Sequence, residues 1–303
     1  MKKIICITCL VMSILMLSLT SCFSPTERAM YEEQVLSIES NYDKKIISRL
    51  GLYYGGEEIS YSTLLKNQLK KDNKKFNDEA TNYLRSGYYK GKILFSYTYD
   101  FGKAMIGYID SSDYSITCSY VTYEDSGELY IEQINDRYCI YYTPALNNKY
   151  TDYYVYEYMS NSIVDSGSDS NGINKGVVNK YKMKVTLNIS GSKYVYNNES
   201  YELRVYNGEA TIENDDFNVV IDYDYVLNKS DTLKEIDEIV GDKKSTIDID
   251  IFAIDEALYI VLFSESTMLG TGVLIPVVFL YDIVTDTFEY VGATPYRDIL
   301  YIE

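Results

Sequence analysis

Apolar and polar residues change their spacing along this chain several times, and each change predicts a different kind of element. Residues 4–19 form an almost unbroken apolar run behind Met1-Lys2-Lys3, with no acidic residue inside it. That length suits a processed secretory signal and falls short of the roughly 18 to 20 residues a spanning helix needs. Over 29–50, Met30, Val35, Leu36, Ile46, Ile47 and Leu50 recur among charges, which predicts a helix ending at Gly51. A second helix is predicted over 63–84, where Leu65, Leu69, Phe76, Ala80 and Tyr83 recur at helical intervals. From Gly87 the period becomes two. Strands are predicted over 92–99, 104–109, 115–121, 129–134, 138–143 and 153–159. The polar clusters Asp110-Ser111-Ser112-Asp113, Asp125-Ser126-Gly127 and Asn135-Asp136 separate them, as in an antiparallel meander. The stretch from Asp165 to Gly172 interrupts the pattern and reads as a long loop or a domain boundary.

The apolar run ends in Leu19-Thr20-Ser21-Cys22, an aliphatic residue, two small residues and a cysteine. This resembles the lipobox of bacterial lipoproteins. The resemblance implies that 1–21 is a signal peptide, that Cys22 becomes the first residue and carries diacylglycerol and palmitate, and that the mature chain is lipid-anchored on the extracytoplasmic face of a bacterial membrane. Several acyl chains together anchor stably where one would be marginal. The sequence then divides into a tether and helical segment over 22–86 and a β domain over 87–303, with a split near 165–175.

Inside the β region a motif recurs: a strand ending in Tyr-acid or a near equivalent, a polar turn, and a second short strand. Gly107-Tyr108-Ile109-Asp110 leads into Tyr114-Ser115-Ile116, Val155-Tyr156-Glu157-Tyr158 into Ser162-Ile163-Val164, and Leu280-Tyr281-Asp282 into the segment from Thr287 to Gly292. The segment from Ile134 to Ile140 is similar in the same way to that from Ile254 to Ile260. A period of about 40 to 50 residues is that of a four-stranded propeller blade. The chain thus resembles a divergent β-propeller of the kelch/TolB-like class, although Val177 to Gly241 departs from the register and no glycine doublet or WD-type signature is present. The fold class expected is mainly β, a divergent propeller with an N-terminal helical segment, the alternative being an antiparallel sandwich or meander.

Charge and composition narrow the chemistry. There are 45 acidic and 28 basic residues, a net charge of −17, and residues 1–21 contribute only Lys2 and Lys3 to it. So acidic a surface repels nucleic acid. Against that background Lys70-Lys71 and Lys74-Lys75 form a local basic cluster, either the wet side of a helix or a contact for anionic lipid or wall polymer. The chain has no histidine, which removes Ser-His-Asp and Cys-His nucleophiles and every histidine-containing zinc site. Tryptophan is absent and tyrosine abundant, at 35. Of five cysteines, only Cys118 and Cys139 lie beyond the signal and the lipobox, either as buried thiols or as one bridge.

Carboxylates remain as candidate chemistry. Asp248 and Asp250 alternate with Ile247, Ile249 and Ile251, so on a strand both face one side about 7 Å apart. That spacing overlaps the roughly 6.5 to 9.5 Å of an inverting glycosidase. Asp222 and Asp224 alternate with Ile221, Tyr223 and Tyr225 in the same manner. Asp165, Asp169 and Asn171 before Gly172 are the nearest approach to a calcium loop, without its closing glutamate. Ser190-Gly191-Ser192-Lys193 lacks the helix start that Ser-x-x-Lys enzymes use, and Gly270-Thr271-Gly272 lacks a third glycine. No cofactor is implied. The function expected is a non-enzymatic binding or scaffold module at the cell surface, with the membrane and an envelope protein or glycan as partners. The alternatives are a carboxylate-dependent glycan hydrolase and an envelope-assembly accessory protein.

Overall fold

The structure, a computed structural model, describes residues 25–39, 44–77, 83–123, 128–143, 151–169, 175–183, 185–186, 193–241, 247–254, 256–264, 274–296 and 298–303. Its described elements are mainly strands, arranged in five antiparallel sheets. Two compact units carry them: one comprises Met1–Lys44, Tyr54–Gly56 and Ser190–Arg297, the other Lys45–Tyr53, Glu57–Ile189 and Asp298–Glu303.

The second unit holds three sheets. In the first of these, β1 (Ile46–Ser48), β2 (Gly51–Tyr54) and β3 (Glu57–Ser60) form a meander, and β21 (Ile299–Ile302) pairs with β1 to give the order β21-β1-β2-β3. Strand structure therefore begins well before Gly87, and 22–86 is not only tether and helix. The predicted helix over 29–50 is shorter than expected: α1 spans Pro25–Leu36, while Ile46 and Ile47 are strand residues paired on both sides. Their apolar character matched a helical spacing but serves a buried strand. The second helix, α2 (Tyr61–Lys71), buries Tyr61, Leu65 and Leu69 and stops early. Asn73 takes φ +53, the Lys74 amide donates to the Leu69 carbonyl at 2.9 Å and the Asn73 amide to Lys70 at 3.2 Å. This is a left-handed C-terminal stop, which asparagine tolerates.

The next sheet, β4 (Leu84–Tyr89), β5 (Lys92–Asp100), β6 (Lys103–Asp110) and β7 (Ile116–Thr122), is a pure meander. In β5 every residue from Ile93 to Tyr99 is buried, because both faces of that strand are covered. The third sheet runs β11-β10-β9-β8-β12, from β8 (Tyr130–Ile134), β9 (Tyr138–Tyr142), β10 (Thr151–Glu157), β11 (Ser162–Asp169) and β12 (Val185–Thr186). Leu94, Ala104, Ile106 and Val121 pack against Cys139, Tyr141, Tyr156 and Tyr158 in one core between the two sheets. Across it the Tyr141 hydroxyl donates to the Gly107 carbonyl at 2.8 Å. Gly107 is required there: its φ is +153, and a methyl would run into the Thr117 carbonyl and stand 2.8 Å from Cys118 Cα. The other face of the third sheet packs Ile140 and Val155 against Val177, with Val178, Tyr181 and Met183 alongside, on and just after α3 (Lys175–Lys180).

The first unit holds β13 (Lys193–Tyr196), β14 (Glu199–Tyr206), β15 (Glu209–Glu213) and β16 (Asn218–Ile221), then α4 (Tyr223–Lys229) and α5 (Asp231–Val240), then β17 (Ile247–Ile254), β18 (Ala257–Ser264), β19 (Val277–Asp282) and β20 (Thr287–Ala293). Asn197-Asn198 and Asn207-Gly208 have positive φ at both residues, the two-residue turn whose twist suits a tight hairpin. Tyr201, Leu203, Ala210, Ile212 and Ile221 enter a core shared with Ile249, Ile251, Leu258, Ile260, Phe279 and the helix residues Val35, Val226, Leu233 and Ile236. The opposite face of β13–β16 is open, with Val195, Tyr206 and Val220 exposed and Arg204 bridging Glu202 and Glu213 at 2.7 and 2.9 Å.

In this part of the chain one unit ends at Ile189 and the other resumes at Ser190. The expected loop is largely β11, whose residues 162–169 pair with β10. Gly167 stands opposite Tyr153, and a side chain there would meet that ring within 3.1 Å. A ladder partner and a covering phenol thus override the low strand propensity of Ser, Asp and Gly.

Candidate functional site

Asp248 and Asp250 do share one face of β17, since Ile249 and Ile251 between and after them enter the core. Their cross-strand neighbours are Phe263 and Val261, and the next residue on that face, Phe252, is buried and stacked on Tyr259 at 5.8 Å. The acids thus sit on an otherwise apolar face. Asp250 accepts its neighbour's Ile251 amide at 3.3 Å. Asp222 and Asp224 are not a strand pair. Asp222 is the N-cap of α4, accepting the Tyr225 amide at 2.7 Å, and Asp224 lies in the first helical turn. A carboxylate is favoured at both places by the free amides and dipole of a helix start.

Asp165 points to a different set of partners from those of a calcium loop. Its carboxylate accepts from Lys180 at 2.7 Å and from the Tyr181 hydroxyl at 2.8 Å, and the Lys180 bond, then that from Tyr181, hold its pKa below the usual range. Asp169 is the last residue of β11, and Asn171 lies outside the described residues. Among the described residues no three acid or cysteine side chains gather to hold a metal ion. Ser190-Gly191-Ser192 and Gly270-Thr271-Gly272 also lie outside them, and Lys193 opens β13.

Cys118 and Cys139 are both free thiols. Cys139 is wholly buried among Tyr141, Tyr156 and Tyr158, and burial pushes its thiol up to about 12. Cys118 pairs with Gly107 in the neighbouring strand and interacts with Tyr120, and burial raises it to about 11. Neither environment activates a thiolate.

Reading residue types alone missed a set of carboxylate–phenol clusters. Asp286, at φ +54 in the β19–β20 turn, accepts from Tyr225 at 2.9 Å, Tyr281 at 3.1 Å and Lys229. Burial opposes its ionisation, yet these three donors carry its pKa below the ordinary carboxylate value. Around Glu303, the Ser111 hydroxyl donates at 3.0 Å, Tyr88 at 3.3 Å and Lys45 at 3.4 Å. Tyr89 bonds Asp136, Tyr201 bonds Glu199 and Tyr223 bonds Asp237 in the same way. The Asp286, Glu303, Asp136 and Asp237 bonds join a turn, a helix or a strand end to another element, while the Tyr201–Glu199 bond lies along β14.

The basic cluster is placed differently. Lys66, Lys70, Lys71, Lys74 and Lys75 are all exposed. Lys66 lies over the Phe76 ring at 4.6 Å and Lys74 over Tyr120 at 4.7 Å. Asp72 is the acid among them, and its carboxylate is engaged by Tyr120 and by Gln68.

Cys22 lies outside the described residues, and α1 begins three positions later at Pro25. Proline is well suited to a first helical turn, and Val35 near the helix end is fully buried in the first unit's core. No helix among the described residues is long and apolar enough to cross a membrane. No protein-family model matches the chain, and no curated protein matches it.

Proposed function

We propose that the chain is a lipid-anchored, extracytoplasmic bacterial lipoprotein whose β body acts as a binding or scaffold module at the cell surface, with Cys22 as the acylated residue. The observation that carries this reading is the order Lys2-Lys3, apolar run, Leu19-Thr20-Ser21-Cys22, followed within three residues by a helix packed into a folded core. An acyl group on Cys22 would then tie α1 and the first unit to the bilayer. Of the acids singled out, Asp165 and Asp222 are held by donors of the fold; Asp248 and Asp250 stand on one face of β17.

For the architecture, a propeller-like array draws support from the recurring motif, whose three copies fall on β6–β7, β10–β11 and β19–β20, the third and fourth strands of their meanders. The pairing of β21 with β1 is the kind of closure such folds use.

The test is metabolic labelling with palmitate in a bacterial host. The native chain takes up label and floats with membranes, and Cys22→Ala does neither. Equal membrane retention of Cys22→Ala without label would overturn the anchor.

A further inference from the structure

We infer that the exposed lysine cluster Lys66, Lys70, Lys71, Lys74 and Lys75 is a docking surface for the anionic phospholipid headgroups of the membrane that holds the acyl anchor. This rests on the lipoprotein reading above. In a chain of net charge −17, five of 28 basic residues fall within this short segment, all of them exposed. Among the described residues, none of the five makes an ion pair, whereas the acids elsewhere recruit Lys90, Lys103, Lys180, Lys229 and Lys234.

The fold sets the backbone on which the cluster stands. Tyr61, Leu65 and Leu69 bury the opposite side of α2, and the left-handed stop at Asn73 turns Lys74 and Lys75 back beside the helix end. The rings of Phe76 and Tyr120 lie under Lys66 and Lys74. The one interspersed acid, Asp72, is occupied by the Tyr120 hydroxyl and the Gln68 amide.

Helix-end electrostatics explains Lys70 and Lys71, which lie in the last turn, but not Lys66, Lys74 or Lys75. Attraction to an anionic bilayer decays over a Debye length, about 8 Å at physiological ionic strength, so the patch can engage headgroups only on a protein that is already held at the membrane.

The experiment uses the full lipidated chain, reconstituted into vesicles of neutral phosphatidylcholine or of the same lipid with about 30 mol % phosphatidylglycerol, at about 20 mM and about 500 mM salt. Amine-reactive labelling is read at each lysine by mass spectrometry, with the exposed Lys182 and Lys234 as internal controls. The five lysines should label several-fold more slowly than the controls on anionic vesicles at low salt. At high salt, on neutral vesicles, and at Lys66 in the Lys70→Glu/Lys71→Glu/Lys74→Glu/Lys75→Glu variant, the protection should vanish. Equal labelling on the two vesicle types, with the chain afloat on both, overturns the inference and leaves the anchor standing. Failure to float with neutral vesicles overturns the anchor, and salt-sensitive protection by anionic vesicles then still supports the patch. Protection by soluble poly(glycerol phosphate) but not by anionic vesicles overturns the membrane assignment in favour of a wall polymer.

Discussion

Replacing Gly107 by alanine isolates one feature of the second unit that no side chain can relieve. The residue sits in β6 at φ +153, opposite Cys118 of β7, and an added methyl would meet the Thr117 carbonyl and lie 2.8 Å from Cys118 Cα. Both obstacles are backbone atoms of a paired strand, so accommodation means moving the ladder. A side chain held in so unfavourable a conformation costs about 1 to 3 kcal/mol, and forced displacement in a packed core costs about 1 to 3 kcal/mol more. The Tyr141–Gly107 bond, made across the core at 2.8 Å, would be lengthened or lost as well, at about 1 kcal/mol. The sum is roughly 3 to 7 kcal/mol, and at about 2 to 4 °C per kcal/mol in a domain of this size it lowers the melting midpoint by about 6 °C or more. Gly91→Ala is the control: its φ is +77, yet the nearest atom to a new methyl is Ser111 Oγ at 3.8 Å. It should cost only the left-handed penalty, about 1 to 2 kcal/mol. Differential scanning calorimetry of the two variants decides the matter. A Gly107→Ala midpoint no lower than that of Gly91→Ala would refute the close-approach argument.

Other substitutions probe the remaining joints. Ser230 caps α5 by accepting the Leu233 amide at 3.2 Å, and Asp222 caps α4. Ser230→Ala and Asp222→Ala should each lower stability by about 1 kcal/mol in urea titrations, and a neutral result for both would reject the caps. Because the folded pKa of Asp286 is depressed, its contribution is complete above the unfolded value near 3.9 and is lost as pH falls through the lower folded value. With its side chain 43 % exposed that contribution is about 1 kcal/mol at most. Stability measured from about pH 5 down to pH 2 should therefore fall less steeply in Asp286→Asn than in the native chain, and parallel curves would count against the cluster. In the native protein at neutral pH, iodoacetamide should modify Cys139 only after unfolding and Cys118 slowly, since burial raises both thiols. Recovery of a Cys118–Cys139 disulfide peptide from non-reduced digests would contradict the free-thiol arrangement.

The β character and much of the strand positioning were legible in the pattern. The six predicted strands from Lys92 to Met159 correspond to β5 through β10 within about two residues, because period-two alternation and Asx-type turns coincide there. At Asp110-Ser111-Ser112-Asp113, for example, Asp110 accepts the Ser112 amide at 2.9 Å and Asp113 the Ser115 amide at 2.8 Å. Ile46 and Ile47 were misread because a short strand buried on both sides shows no alternation, leaving helical spacing as the apparent signal. Helix α5 was readable and missed: Ser230 at the cap, Leu233, Ile236 and Val240 at helical intervals, and Gly241 at the end. Asp222 and Asp224 show the opposite failure, since alternation with tyrosines resembles a strand until the cap bond is seen. Contacts such as Tyr225–Asp286, between residues 61 positions apart, leave no local trace in a sequence.

The distribution of charge partners gives the tyrosine content a physical meaning. With 45 acids and 28 bases, cations cannot neutralise every carboxylate that packing draws toward the surface of the core. Tyrosine offers the alternative: an apolar ring that fills space between sheets and a hydroxyl that donates to an acid at its edge. Tyr88, Tyr89, Tyr120, Tyr181, Tyr201, Tyr223, Tyr225 and Tyr281 all do this. In several of these clusters a lysine joins the phenol on the same acid, as Lys180 does on Asp165 and Lys229 on Asp286, whereas Lys66, Lys70, Lys71, Lys74 and Lys75 make no ion pair among the described residues. Exposed charge without an ion-pair partner is therefore the better guide to an external partner in this chain than the acidic pairs, which packing already explains.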